Sequence, residues 1–272
     1  GYTVLQDLTA MENDLLPIEI VTPAVKDDEV EFHIPRIVPG TYDVHNYGRF
    51  VKDIAAFAES GEELTIDSLD INRWRISNAS RLYKITYKVE DTYDYEENTG
   101  IFEPAGTSHE DSVFLLNNFG YIGYLRGHKE EPFELHIKKP EGFYGSTALQ
   151  GEMTSTVDRF VVEDYFTLHD NPLMYCVPDT AWHNVGGARV LVSVFSPNKM
   201  VNAEKAMEGI TAVLDATAEY LGGKLPVDKY AVLIYTVPMS GMGSSYGALE
   251  HHTSTVLYMP EMEGDRFYNS VK

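Results

Sequence analysis

Short apolar runs broken by turn residues recur from about residue 18 to about residue 182, and they confine most of this chain to a β-rich fold. The clearest run is residues 82–89, where Ile85, Tyr87 and Val89 alternate with Lys84, Thr86 and Lys88. A period of two puts alternate side chains on opposite faces, one buried and one wetted. Residues 18–21, 30–34, 113–116, 133–137, 159–162 and 189–195 are further strand candidates, and 74–76 alternates as 82–89 does. The first two flank Lys26-Asp27-Asp28-Glu29, as a hairpin would. Residues 51–57 suit either strand or helix. Pro39-Gly40 is turn chemistry: proline fixes φ at the first corner and glycine accepts positive φ at the second. The spacing predicts a mainly β, sandwich-like domain over residues 1–182.

The pattern changes beyond residue 182. Ser196-Pro197 reads as a helix start, with Ser196 as cap and Pro197 at the first helical position. Ala203, Ala206, Met207, Ile210, Val213, Leu214, Thr217, Tyr220 and Leu221 recur at spacings of three and four, which places them on one helix face. Gly222-Gly223 supplies the stop. A buried strand over residues 230–237 follows Pro226. Strand, helix, strand predicts an α/β second domain over residues 183–272. At about 90 residues it is short of the usual domain size, so an incomplete domain is expected.

Charge narrows the function. Lys and Arg total 21 against 42 Asp and Glu, a formal charge of −21. Such a surface repels phosphate backbones and anionic lipid heads, which excludes nucleic acid as the expected partner. No run approaches the length of a membrane span. Cys176 is the sole cysteine, so no internal disulfide exists, and its apolar setting in Met174-Tyr175-Cys176-Val177-Pro178 marks a buried structural thiol. The start at Gly1-Tyr2, without Met, suggests a trimmed signal peptide.

Catalytic motifs are scarce. No two of the nine histidines stand four apart, so no His-x-x-x-His helix face exists. His109-Glu110 begins like HExxH, but Val113 ends the match, and the pair is expected in a solvated loop. Gly243-Ser244-Ser245-Tyr246-Gly247 resembles a nucleophile elbow around Ser245, yet the β-prone residues 253–257 follow where a helix is needed. Glu250 and His252 are expected on one strand face and His251 on the other. Two ligands make a weak metal site, so no metal is assigned.

What remains is Gly247-Ala248-Leu249-Glu250. Small residues at 247 and 248 leave the backbone open to pairing with an extended peptide. Glu250 then offers a carboxylate suited to a peptide's free α-amino group. The plainer alternative, an ordinary strand with Glu250 in solvent, stays open on chemistry alone.

Several segments resemble the glycyl aminopeptidase family, zinc metallopeptidases of the gluzincin clan. Val38-Pro39-Gly40-Thr41-Tyr42 through Arg49-Phe50-Val51-Lys52-Asp53 is similar to the family's W-x-P-G-S-Y turn and the basic-aromatic segment after it, with Thr41 for serine and no Trp. Asp170-Asn171-Pro172-Leu173 resembles its D-x-P segment, and Pro226-Val227-Asp228-Lys229-Tyr230 its P-x-x-x-Y strand entry. Gly247-Ala248-Leu249-Glu250-His251 with Ser254-Thr255 resembles G-G-L-E-H-x-x-S-T and takes the place of the alanyl-type G-A-M-E-N.

The resemblance implies a β domain followed by the opening of a thermolysin-like catalytic domain, truncated before the HExxH zinc helix that residues 267–272 would approach. It implies Glu250 as amine anchor, with Gly247, Ala248 and Leu249 holding the peptide, and no catalytic residue or metal ligand in this chain. Zinc would belong to the complete protein and not to this fragment, which would be inactive alone. Peptides with a free N-terminal Gly or Ala would be the partners, in the bacterial periplasm or outside the cell. A competing expectation is a non-catalytic β-rich binding or adhesion protein, which would expose tyrosines such as Tyr93, Tyr95, Tyr121 and Tyr124.

Overall fold

The structure is a computed structural model that describes residues 1–93, 100–239, 246–262 and 264–271. The glycine-rich loop at 240–245, including Ser245, lies outside the described residues, as does Tyr95.

Period-two runs became strands that bury one face. In Leu82–Glu90, Leu82, Ile85, Tyr87 and Val89 are buried while their neighbours are not. This strand belongs to an eight-stranded sheet. From edge to edge the order is Gly151–Met153, Val157–Val162, Phe133–Lys138, Tyr2–Asp7, Leu15–Val21, Leu82–Glu90, Val51–Ala58 and Glu63–Leu64. Tyr2–Asp7 runs parallel to Phe133–Lys138 and antiparallel to Leu15–Val21. A four-stranded sheet orders Tyr124–Leu125, Glu29–His33, Arg73–Ser77 and Ile66–Asp70; another orders Tyr144–Ser146, Leu173–Cys176, Val113–Leu116 and Ser108–Glu110. One apolar core, running from Val4 and Phe32 to Phe114 and Tyr175, joins all three sheets. The chain is thus mainly β with a sandwich-like packing of sheets.

Two local expectations fail. Residues 18–21 and 30–34 form no hairpin: Leu15–Val21 pairs with Tyr2–Asp7 and Leu82–Glu90, whereas Glu29–His33 pairs with Arg73–Ser77 and Tyr124–Leu125. Both are central strands, each finding partners on both of its edges, so neither needs the other. His109 is not in a solvated loop. It lies fully buried in Ser108–Glu110.

Beyond the β region stands a five-stranded sheet, ordered Thr180–Val185, Ala188–Phe195, Lys229–Val237, Ser254–Pro260, Gly247–Glu250. Residue 182 lies inside its first strand. The three central strands are parallel, and Gly247–Glu250 returns antiparallel to Ser254–Pro260. Helix Ala203–Tyr220 connects two of the parallel strands, the crossover that parallel pairing requires. It begins seven residues after Ser196. Its cap is Asn202, whose side chain accepts the Lys205 N–H, while the Ser196 hydroxyl is taken by Glu261. The end falls as expected, with Gly222 and Gly223 at φ 83° and 90°.

The buried stripe of this helix also differs. Ala203, Ala206, Met207 and Ala218 are buried, but Val213, Tyr220 and Leu221 are exposed. A Cβ on Gly186 would lie 3.1 Å from that of Ala218, so a small residue, not a bulky apolar one, faces the sheet there. The opposite sheet face packs Leu191, Leu233 and Val256 onto Val113, Leu115, Met174 and Cys176 of the β region. Cys176 is 3% exposed, and burial pushes its thiol up to about 12. Among the described residues no helix is long and apolar enough to cross a membrane.

Candidate functional site

Gly247–Glu250 is an edge strand, so one side of its backbone pairs with Ser254–Pro260 and the other has no strand beside it among the described residues. Its four residues meet different surroundings. A Cβ on Gly247 would lie 2.7 Å from the Phe102 ring. The glycine therefore makes room for Phe102 on that face, a role the sequence did not suggest. Ala248 is exposed. Leu249 is 1% exposed and belongs to the core of the β region, its Cδ1 lying 3.3 Å from where a Gly40 Cβ would stand. The Pro39-Gly40 turn, with Gly40 at φ +87° and the Thr41 N–H donating to Val38, thus seats the strand.

Glu250 ends the strand. Its side chain is exposed and has no hydrogen bond or ion pair with any described residue. It lies near Tyr230, whose phenol is pushed up by burial first and by the Glu250 charge second.

After Glu250 the chain turns back, with the His251 N–H donating to the Ser254 carbonyl at 2.8 Å. The expected alternation of Glu250, His251 and His252 along one strand is therefore lost. His252 is exposed in the turn, and the His251 imidazole is 2% exposed. Asp170 holds the turn: its Oδ1 lies 3.0 Å from His251 Nδ1 and its Oδ2 accepts the His252 N–H at 2.9 Å. The Thr253 hydroxyl donates to Asn171 Oδ1 at 2.8 Å. Burial disfavours the ionised Asp170 carboxyl, but the His251 and His252 hydrogen bonds outweigh it and hold it below the usual range. Burial also pushes His169 down.

The turn at 39–40, the segment at 170–173, Tyr230 and the edge strand, remote in sequence, thus meet here. The sequence missed Phe102 and the pairing of Asp170 with His251. Nothing marks Phe102 in the chain, and only the resemblance drew attention to Asp170.

Zinc fits none of this. Among the described residues the one group of three candidate ligands is Asp14, Asp91 and His109, within 4.8 Å of one another. His109 already uses Nδ1 on the Tyr121 hydroxyl and Nε2 on the Asp14 carbonyl, and Asp91 takes the His109 and Tyr93 N–H groups. Both imidazole nitrogens are thus engaged, and the group includes neither Glu250 nor a histidine beside it. Of the tyrosines expected on an adhesive surface, Tyr95 lies outside the described residues and Tyr124 is half-buried. Tyr121 is fully buried, and Tyr93 packs 5.3 Å from Tyr235 and 5.1 Å from Tyr258.

The Peptidase M61 N-terminal domain matches the chain over residues 2–177. Comparison with curated protein sequences gives no match. Among solved structures, an aminopeptidase N family protein from Idiomarina loihiensis superposes with a TM-score of 0.81 at 16% identity, over 96% of this chain and 42% of that one. An M1 zinc metallopeptidase from Deinococcus radiodurans gives 0.51 at 11% identity, over 99% of this chain and 62% of that one. A point mutant of the Deinococcus enzyme bound to a Tyr-Ser-Ala substrate gives 0.50 at 10% identity, over 94% and 59%. The chain spans less than two thirds of each, and at these identities the likeness is one of fold.

Proposed function

Since the chain belongs to the Peptidase M61 N-terminal domain family, we propose that it is the amino-terminal part of a zinc-dependent aminopeptidase and that it supplies the edge receiving the peptide. The observation that carries this reading is Glu250: an exposed carboxylate with no described partner, at the end of an open antiparallel edge.

An extended peptide pairs with such an edge through its main chain, and a carboxylate at the strand end receives its α-ammonium group. A hydrogen bond of this charge-assisted kind contributes about 1.5–3 kcal/mol and defines where the peptide begins. Ala248 lets the peptide approach. Gly247 and Leu249 contribute backbone, since Phe102 and the β core occupy their side-chain positions. The resemblance to glycyl aminopeptidases supports small N-terminal residues, Gly or Ala, as substrates and a periplasmic or extracellular setting.

Among the described residues no zinc site forms at Glu250, so no hydrolytic step is assigned to them. In this reading the zinc ligands and general base lie in sequence beyond Lys272, and the chain alone is inactive, because a held peptide without the metal leaves the transition state unstabilised.

The test is to extend the reading frame past Lys272 by about 150–250 residues, a domain's worth, and assay Gly- and Ala-arylamides with zinc. Glu250→Ala should lower kcat/KM about 10- to 150-fold, the loss of one such bond. An active extended enzyme whose kcat/KM is unchanged by Glu250→Ala overturns the anchor role.

A further inference from the structure

We infer that Asp170 is a positioning residue for the Glu250 amine anchor, holding from the β domain the turn that follows it. The inference rests on the reading of Glu250 above. The Glu250 side chain has no described partner, so its backbone, paired with Thr255, and its chain neighbours set its position. On one side Leu249 is locked in the β core against Gly40. On the other, three consecutive residues are bonded to two: His251 and His252 to the two Asp170 oxygens, and Thr253 to Asn171. Those two residues are themselves fixed. The Asp170 N–H donates to the Phe166 carbonyl at 3.0 Å, and Asn171 Nδ2 donates to the Thr167 carbonyl at 2.8 Å, at the end of helix Tyr165–His169.

Packing alone does not account for the imidazole. Nδ1 faces the Asp170 carboxylate and carries a proton, while Nε2 is buried with no hydrogen-bond partner among the described residues. An unpaired buried polar atom is destabilising, and an apolar side chain would avoid it. The arrangement instead fixes the strand end through charge-assisted bonds and uses no Glu250 oxygen on any described residue. An anchor ordered in advance loses less entropy when the amine arrives.

The experiment titrates the 272-residue chain with Gly-Gly-Ala-amide and with its N-acetylated form, following binding by NMR, and takes the affinity ratio as amine selectivity. Thermal midpoints measured alongside confirm that folded chain is titrated. Asp170→Asn and His251→Ala should each lower the selectivity about tenfold, one charge-assisted bond's worth. His251→Asn, whose Nδ2–H replaces the Nδ1 donor, should keep it within about threefold. Folded Asp170→Asn and His251→Ala chains with wild-type selectivity overturn the inference, as does a His251→Asn chain that loses it. Glu250→Gln separates the two layers. If the wild type binds both peptides alike, or Glu250→Gln retains the selectivity, the reading of Glu250 fails and the positioning role with it. If Glu250→Gln abolishes the selectivity and Asp170→Asn does not, only the positioning role fails.

Discussion

Asp170 Oδ1 and His251 Nδ1 stand 3.0 Å apart, joining a loop of the β region to the turn that carries the candidate amine anchor. Eighty-one positions separate the two residues in the chain. The contact makes the setting of the edge strand a property of both parts of the fold, because residues of the β region surround a strand of the five-stranded sheet.

Acid should destabilise the chain in two stages. Burial pushes His45 and His169 down, so between their folded values and the ordinary value of about 6.5 the unfolded chain binds more protons than the folded one. Their contribution is present above that value and is lost as pH falls. Asp170 and Glu261 are held below the usual carboxylate range despite burial, by His251 and by Ser196 and Asn198 respectively, and their contribution goes as pH falls further, below about 4. Urea midpoints measured from pH 8 to pH 3 should decline throughout; a midpoint constant from pH 7 to pH 5 contradicts the histidine part.

Removing one member of the buried ion pair should be costly. Lys139 and Asp158 are 3% and 0% exposed, with Nζ 2.7 Å from Oδ1, and the Tyr175 hydroxyl also donates to Asp158. Lys139→Met leaves an uncompensated buried carboxylate and should cost about 3–5 kcal/mol, whereas Lys139→Met with Asp158→Leu should recover most of it. Chemical denaturation of both variants checks this.

Gly247→Ala should destabilise by about 1–3 kcal/mol, since the new methyl would meet the Phe102 ring at 2.7 Å. Phe102→Leu should remove most of that penalty. A double-mutant cycle with no coupling would show that Phe102 is not what requires the glycine.

Cys176 should resist aromatic disulfide reagents at pH 8 in the folded chain and react once guanidinium unfolds it. The thiol is buried and pushed up to about 12, so almost none is thiolate. Rapid labelling of the native chain would place Cys176 at the surface instead.

How far the sequence could be read depends on the range of the forces involved. Leu82–Glu90 and Lys229–Val237 were visible because period-two alternation and continuous apolar runs are local consequences of burial. The Gly222-Gly223 stop was visible because positive φ is a property of single residues. Pairing was not. Residues 18–21 and 30–34 looked like a hairpin because adjacency in the chain is the only proximity a sequence displays. The helix start was misplaced by the same limit: Ser196 and Asn202 are both good caps, and Glu261, 65 positions away from Ser196, decided between them.

The same division holds at the site. By itself the sequence determined the residue types of the edge: small residues that open a backbone, followed by one carboxylate. Tertiary structure decided what each of them faces. It filled the space beside Gly247 with Phe102, buried Leu249 in the β core, turned His251 inward to Asp170 and left Glu250 exposed. Side-chain chemistry is written residue by residue. Burial and hydrogen-bond pairing arise only when distant segments exclude water together, so they belong to the folded chain.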